Sequence, residues 1–138
     1  MEKTILERIK CYWEQRSDDF SRQSFAEMQN EKYDLWSKEL KQIIGDRTAL
    51  QILDVGTGSG YMALLLASSG HNVTGIDLCD NMIASAIDLR NKLKLDAEFF
   101  VSDAQQLPFC DNSFDLLITR NLTWTLPNLE NAYHEWYR

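Results

Sequence analysis

The stretch Ile52-Leu53-Asp54-Val55-Gly56-Thr57-Gly58-Ser59-Gly60 limits what this chain can fold into more than any other. Ile52 to Val55 is a short apolar run broken only by Asp54, and Tyr61 to Ala67 continues beyond the glycines with strong helix formers. The pattern reads as a buried strand, a tight loop and a helix. Glycine at alternate positions lets the backbone take positive φ and leaves no Cβ between the loop and a docked molecule. The first N–H groups of the following helix point into the same space. Such a loop suits an extended small molecule with polar or anionic groups.

The rest of the chain arranges itself around that unit. Ile5, Leu6, Ile9, Tyr12 and Trp13 form one stripe of an amphipathic helix within residues 3–16, and Tyr33, Trp36, Leu40, Ile43 and Ile44 form another, stopped by Gly45. The polar segment 17–30 between them reads as irregular or as a short helix. Asn72 to Asp77 predicts a second strand, and residues Met82, Ile83, Ala86, Leu89 and Leu93 predict a helix capped by Asp80 or Asn81. Ala97 to Val101 and Phe114 to Thr119 predict third and fourth strands, and a last helix starts at Asn128. At 138 residues this is one globular unit, read as a helical cover over 1–45 and a core over 46–138.

Strands alternating with helices call for a Rossmann-like α/β three-layer sandwich with a mostly parallel sheet. Ligands of such sheets sit outside the carboxyl ends of the strands. Asp54, Asp77, Asp103 and Arg120 all fall at or near that edge, so the site is expected there.

A formal net charge of −7 gives no basic footprint for nucleic acid or an anionic membrane, and no apolar run reaches the roughly 18 residues of a membrane span. A small-molecule substrate and a cytoplasmic setting are expected. Three widely spaced cysteines and two histidines without ligand spacing suit reduced thiols better than a disulfide set or a metal site, so no metal is expected.

Asp77 lies 21 residues beyond Gly56, at the end of the next predicted strand, where a carboxylate can accept both hydroxyls of a ribose. Tyr61 occupies the place of the third glycine in a dinucleotide fingerprint, so a nucleoside ligand without a pyrophosphate fits better.

Together with Tyr12-Trp13-Glu14-Gln15-Arg16, Gly75-Ile76-Asp77-Leu78, Asp103-Ala104-Gln105-Gln106-Leu107-Pro108-Phe109 and Asp111-Asn112-Ser113-Phe114-Asp115, these residues resemble the class I S-adenosylmethionine-dependent methyltransferases, within them the small-molecule methyltransferase-like group. The resemblance covers most of the chain. It implies S-adenosyl-L-methionine as cofactor and a sheet in order 3-2-1-4. It implies that Asp54 helps receive the methionyl ammonium and that Gly56, Thr57, Gly58 and Gly60 wrap the methionine and ribose. Asp77 would take the ribose hydroxyls, Leu78 and Met82 would pack on the adenine, and Asp103 with Ala104 would read its edge. Arg120 and Asn121 match the end of strand four beside the sulfonium, and Arg16 matches an arginine of the amino-terminal cover. No general base is identified, since His134 lies within the last predicted helix.

The chain ends at Arg138, where the family continues into a further strand, so the resemblance implies a fragment whose strand-four edge is bare. Self-association through that edge is expected. Two other readings stay open: a non-catalytic module that keeps the nucleoside site, and a nicotinamide-dependent oxidoreductase.

Overall fold

The structure, a computed structural model, describes residues 4–27, 31–120, 122 and 126–138. Helix α1 (Ile5–Glu14) starts with a capping box: the Glu7 amide donates to Thr4 Oγ1 at 3.2 Å, and the Thr4 amide donates to the Glu7 carboxylate at 2.8 Å. Residues 17–27 form a helix, α2 (Ser17–Glu27), with Asp18 and Asp19 in the first turn, where the helix dipole favours negative charge. Helix α3 (Glu31–Ile44) ends at Gly45, whose φ of +69° is the left-handed stop expected from the sequence.

Four parallel strands follow, β1 (Gln51–Val55), β2 (Asn72–Asp77), β3 (Glu98–Val101) and β4 (Leu116–Thr119), in the sheet order β3-β2-β1-β4. This is the order implied by the family resemblance. The last two strands are shorter than expected, for local reasons. The Ala97 carbonyl accepts from the Arg90 guanidinium at 3.0 Å instead of joining the ladder. Asp115 exchanges bonds with Gln51, its amide donating to the Gln51 carbonyl and its carboxylate accepting from the Gln51 amide at 2.8 Å, which anchors the chain ahead of β4.

Alternation along β1 divides the interior into two cores. Ile52 faces helix α4 (Tyr61–Ser68), helix α5 (Asp80–Leu93) and the buried end of α3, with Leu40, Ile44, Leu64, Leu65 and Ala86 in one cluster. Leu53 and Val55 face the other side with Ile76, Ala104 and Leu107, where Trp136 of helix α6 (Leu129–Tyr137) packs. Helix α4 is buried all round from Tyr61 to Leu66, which explains its uniformly apolar sequence. Helix α5 differs from expectation at its start: Cys79 is the N-cap without a side-chain bond, and Asp80 sits in the first turn, paired with Lys10 at 3.1 Å.

Gly75, in the middle of β2, is required by close approach. A Cβ there would lie 2.7 Å from Phe99 ring carbons and 2.7 Å from Thr57 Oγ1. Gly75→Ala is therefore expected to destabilise the fold by about 1–3 kcal/mol, the usual cost of overpacking. A lower urea midpoint at unchanged slope is the outcome to look for; an unchanged midpoint would mean that Phe99 yields freely.

Candidate functional site

A cleft opens at the carboxyl ends of the strands, and its walls come from the first helix, the loop after β1 with the start of the next helix, and the segments that follow the other three strands. The loop after β1 forms the floor. Its glycines at 56, 58 and 60 all have positive φ, and the amides of Gly56 and Thr57 both donate to the Ile76 carbonyl at 2.9 Å, folding the loop back against the end of β2. Nothing lies within 4 Å of the place a Cβ on Gly58 would occupy, so the backbone is bare to the cleft there.

Three carboxylates line this edge. Asp54 is buried and accepts from the Thr57 hydroxyl at 2.8 Å. Burial pushes its pKa up to about 6, with the Thr57 bond opposing and the Asp77 carboxylate adding to the rise. Asp77 accepts from the Gly58 amide at 3.0 Å through one oxygen and from the Cys79 amide at 2.9 Å through the other. Burial raises its pKa as well, opposed by those backbone bonds. Asp103 takes both of its bonds on Oδ1, from the Gln105 amide at 2.9 Å and the Gln105 side-chain amide at 3.2 Å; among the described residues nothing donates to Oδ2.

The segment carrying Asp103 is clamped by α6. The Gln105 side-chain carbonyl accepts from the Asn128 amide at 2.7 Å, its backbone carbonyl accepts from Asn131, and the Ala104 carbonyl accepts from Trp136 Nε1 at 2.8 Å. Gln105 thus has its amide orientation fixed from both ends and leaves one Asp103 oxygen facing the cleft.

Of the residues expected from the sequence, Asp54, Gly56, Thr57, Gly58, Asp77, Leu78, Asp103, Ala104 and Arg120 line the cleft together. Gly60 lies beneath it as the N-cap of α4. Met82 is buried on α5, at 3% exposure, as part of the interior. Arg16 is held on its own segment: its guanidinium stacks 3.6 Å from the Tyr12 ring centroid and donates to the Tyr12 carbonyl. Asn121 lies outside the described residues. Leu6, Ile9 and Trp13 of α1, together with Leu122, Leu126 and Pro127, complete the apolar walls. Leu6, Ile9 and Trp13 belong to the helical stripe read from the sequence, whereas no spacing rule marks Leu122, Leu126 and Pro127. Helix α1 has no buried residue, and its stripe lines the cleft.

Residues 53–138 match a family model described as a methyltransferase domain. A demethylmenaquinone methyltransferase of Lactococcus lactis is 31% identical over 121 residues, covering 85% of this chain and 48% of that protein. Among solved structures, a phosphoethanolamine N-methyltransferase of Haemonchus contortus, in complex with phosphomonomethylethanolamine and S-adenosylhomocysteine, is 33% identical with a TM-score of 0.66, covering 72% of this chain and 24% of that one. A protein of Methanococcus maripaludis superimposes on 100% of this chain and 60% of its own at a TM-score of 0.76; its 22% identity speaks to the fold alone. The chain spans between 34% and 48% of the length of the first curated relatives it matches.

Proposed function

Since the chain belongs to the class I S-adenosylmethionine-dependent methyltransferases, we propose that it holds S-adenosyl-L-methionine in the cleft described above and passes its methyl group to a small-molecule acceptor. The observation that carries this reading is the convergence of Asp54, Asp77 and Asp103 beside a glycine loop that is bare at Gly58. The set of acceptors suits a ligand that donates from an ammonium, a diol and a purine amino group. Asp77 would take the ribose hydroxyls, the free Oδ2 of Asp103 would take the adenine amino group, and Asp54 would face the ammonium. Leu78, Ala104 and Leu126 supply apolar walls for the base.

Bound there, the cofactor supplies a methyl group already activated by its sulfonium, so no nucleophile is needed from the chain. The chain's own part is positioning and the exclusion of water. Holding two reacting centres in line contributes on the order of 7–11 kcal/mol in favourable cases. The cover formed by Leu6, Ile9 and Trp13 is placed to keep water out. The relatives' names support a small acceptor, since one is a demethylmenaquinone methyltransferase and the other is in complex with phosphomonomethylethanolamine.

A thermal melt separates this reading from the oxidoreductase alternative. S-adenosylhomocysteine at one hundred times its dissociation constant adds about 2.7 kcal/mol to stability, which should raise the melting temperature by several degrees, while NAD should leave it unchanged. Stabilisation by NAD and not by S-adenosylhomocysteine would reverse the assignment. We place the protein in the cytoplasm because Cys11, Cys79 and Cys110 form no disulfide, which suits a reducing compartment.

Self-association belongs to the same proposal. Strand β4 ends the sheet, its residues Leu116 to Thr119 are all half-buried, and no strand pairs with its outer edge among the described residues. An apolar edge of this kind invites a partner strand. Sedimentation at micromolar concentration is expected to show dimers or larger species. A 16.0 kDa monomer at every concentration would exclude it.

A further inference from the structure

Arg120 follows β4 and is the only basic residue lining the cleft among the described residues. Its guanidinium lies between two aromatic rings, 5.4 Å from the Trp36 centroid and 5.5 Å from the Tyr61 centroid. Trp36 belongs to α3 and the buried Tyr61 opens α4, so the exposed guanidinium is flanked by side chains of two different helices. A guanidinium carries five N–H donors, and among the described residues none accepts from Arg120. Its charge reaches Asp54 and lowers that group's pKa, yet the two form no ion pair. Neutralising Asp54 through direct contact is therefore not what holds it in place.

Position indicates what the donors are for. The sheet order lays Asp103, Asp77, Asp54 and Arg120 along one edge, at the ends of strands about 4.8 Å apart. In the cofactor reading, on which this inference rests, the three acids account for the adenine, ribose and ammonium groups. Arg120 comes after them, at the end of β4 next to Asp54, with no group of the nucleoside or ammonium left for it to meet. A planar fork matches a two-oxygen anion better than a point charge would. We propose that Arg120 recognises an oxyanion, a carboxylate or phosphate carried by the methyl acceptor, and holds it against the end of β4. The cofactor's own α-carboxylate is the other source of the same chemistry.

The test is an NMR titration of inorganic phosphate and of benzoate into the 138-residue chain, with and without S-adenosylhomocysteine, following the Arg120 Nε–Hε signal and the amides around Gly56. Saturable shifts are expected in the wild type. Arg120→Gln should abolish them at the amides, and Arg120→Lys, which keeps the charge but loses the fork, should weaken binding about tenfold while serving as the folded control. In a parallel arm, the ratio of the affinities for S-adenosylhomocysteine and for 5′-methylthioadenosine, which lacks the carboxylate, should be the same in Arg120→Gln as in wild type within about twofold. A loss of about tenfold or more for S-adenosylhomocysteine alone would give the oxyanion to the cofactor and overturn the acceptor assignment. Anion shifts that survive Arg120→Gln would overturn it too. Failure of the wild type to bind S-adenosylhomocysteine would instead contradict the cofactor reading, and the titration without that ligand would still decide whether Arg120 takes an anion.

Discussion

Asp77→Ala is expected to weaken S-adenosylhomocysteine binding by about 2–4 kcal/mol, roughly thirtyfold to a thousandfold, because hydrogen bonds to a charged group contribute about 1.5–3 kcal/mol each and do not add fully. The structure adds a second effect. The same carboxylate accepts from the amides of Gly58 and Cys79, so its removal leaves two backbone donors without their acceptor in the free protein. An unmatched buried donor costs about 1–3 kcal/mol, and burial of the Asp77 charge, which already raises its pKa, offsets part of that loss. Stability should therefore fall as well, by less than the affinity does. Asp77→Asn keeps one carbonyl oxygen as an acceptor and should fall between wild type and alanine in both quantities. Calorimetric titration alongside urea unfolding separates the two effects; a folded alanine variant of unchanged affinity would reduce Asp77 to a structural tie between the glycine loop and α5.

Asp54→Asn should act in the opposite sense on stability. The folded-state pKa of about 6 lies above the ordinary aspartate value of 3.8, so the native protein binds more protons than the unfolded chain between those pH values. Stability contributed at Asp54 is then present at low pH and lost as pH rises through that window, by about 3 kcal/mol at 1.36 kcal/mol per pH unit. Asparagine cannot ionise, and its carbonyl still accepts from the Thr57 hydroxyl. The variant should be more stable than wild type by about 2–3 kcal/mol at pH 7, and the difference should vanish near pH 4. Binding should move the other way. An ammonium is met by the ionised carboxylate, so wild-type affinity for S-adenosylhomocysteine should fall as pH drops below about 6, whereas the asparagine variant should bind weakly with little dependence on pH. Urea midpoints and calorimetric affinities measured from pH 4 to pH 8 test both halves. Equal stability of the two proteins at neutral pH would show that the Asp54 charge is solvated in the native state.

The glycine loop and the acids ending β2 and β3 were legible in the sequence because each is a local event: a strand ends, the chain turns, and a polar residue is left at the edge. Sheet order was legible through the resemblance that those residues carry. What escaped is long-range. Trp136 and Gln105 hold the Asp103 segment from 31 residues apart, which leaves no trace in spacing. Gly75 lay in the predicted second strand and in a stretch that carries the resemblance, but the physical need for a glycine there lies in Thr57 and in a Phe99 ring from the neighbouring strand. Met82 shows the limit from the other side: its place on an apolar helical stripe was compatible with an adenine contact, and in the structure that stripe is turned into the core.

A crystal structure of the chain with S-adenosylhomocysteine is the most direct test of the central claim. The expected result has the ribose hydroxyls within hydrogen-bonding reach of Asp77, the adenine amino group on Oδ2 of Asp103, and the amino-acid portion over the loop at Gly56 and Gly58. Ligand density away from these carboxylates, or a cleft that stays empty at millimolar ligand, would contradict it.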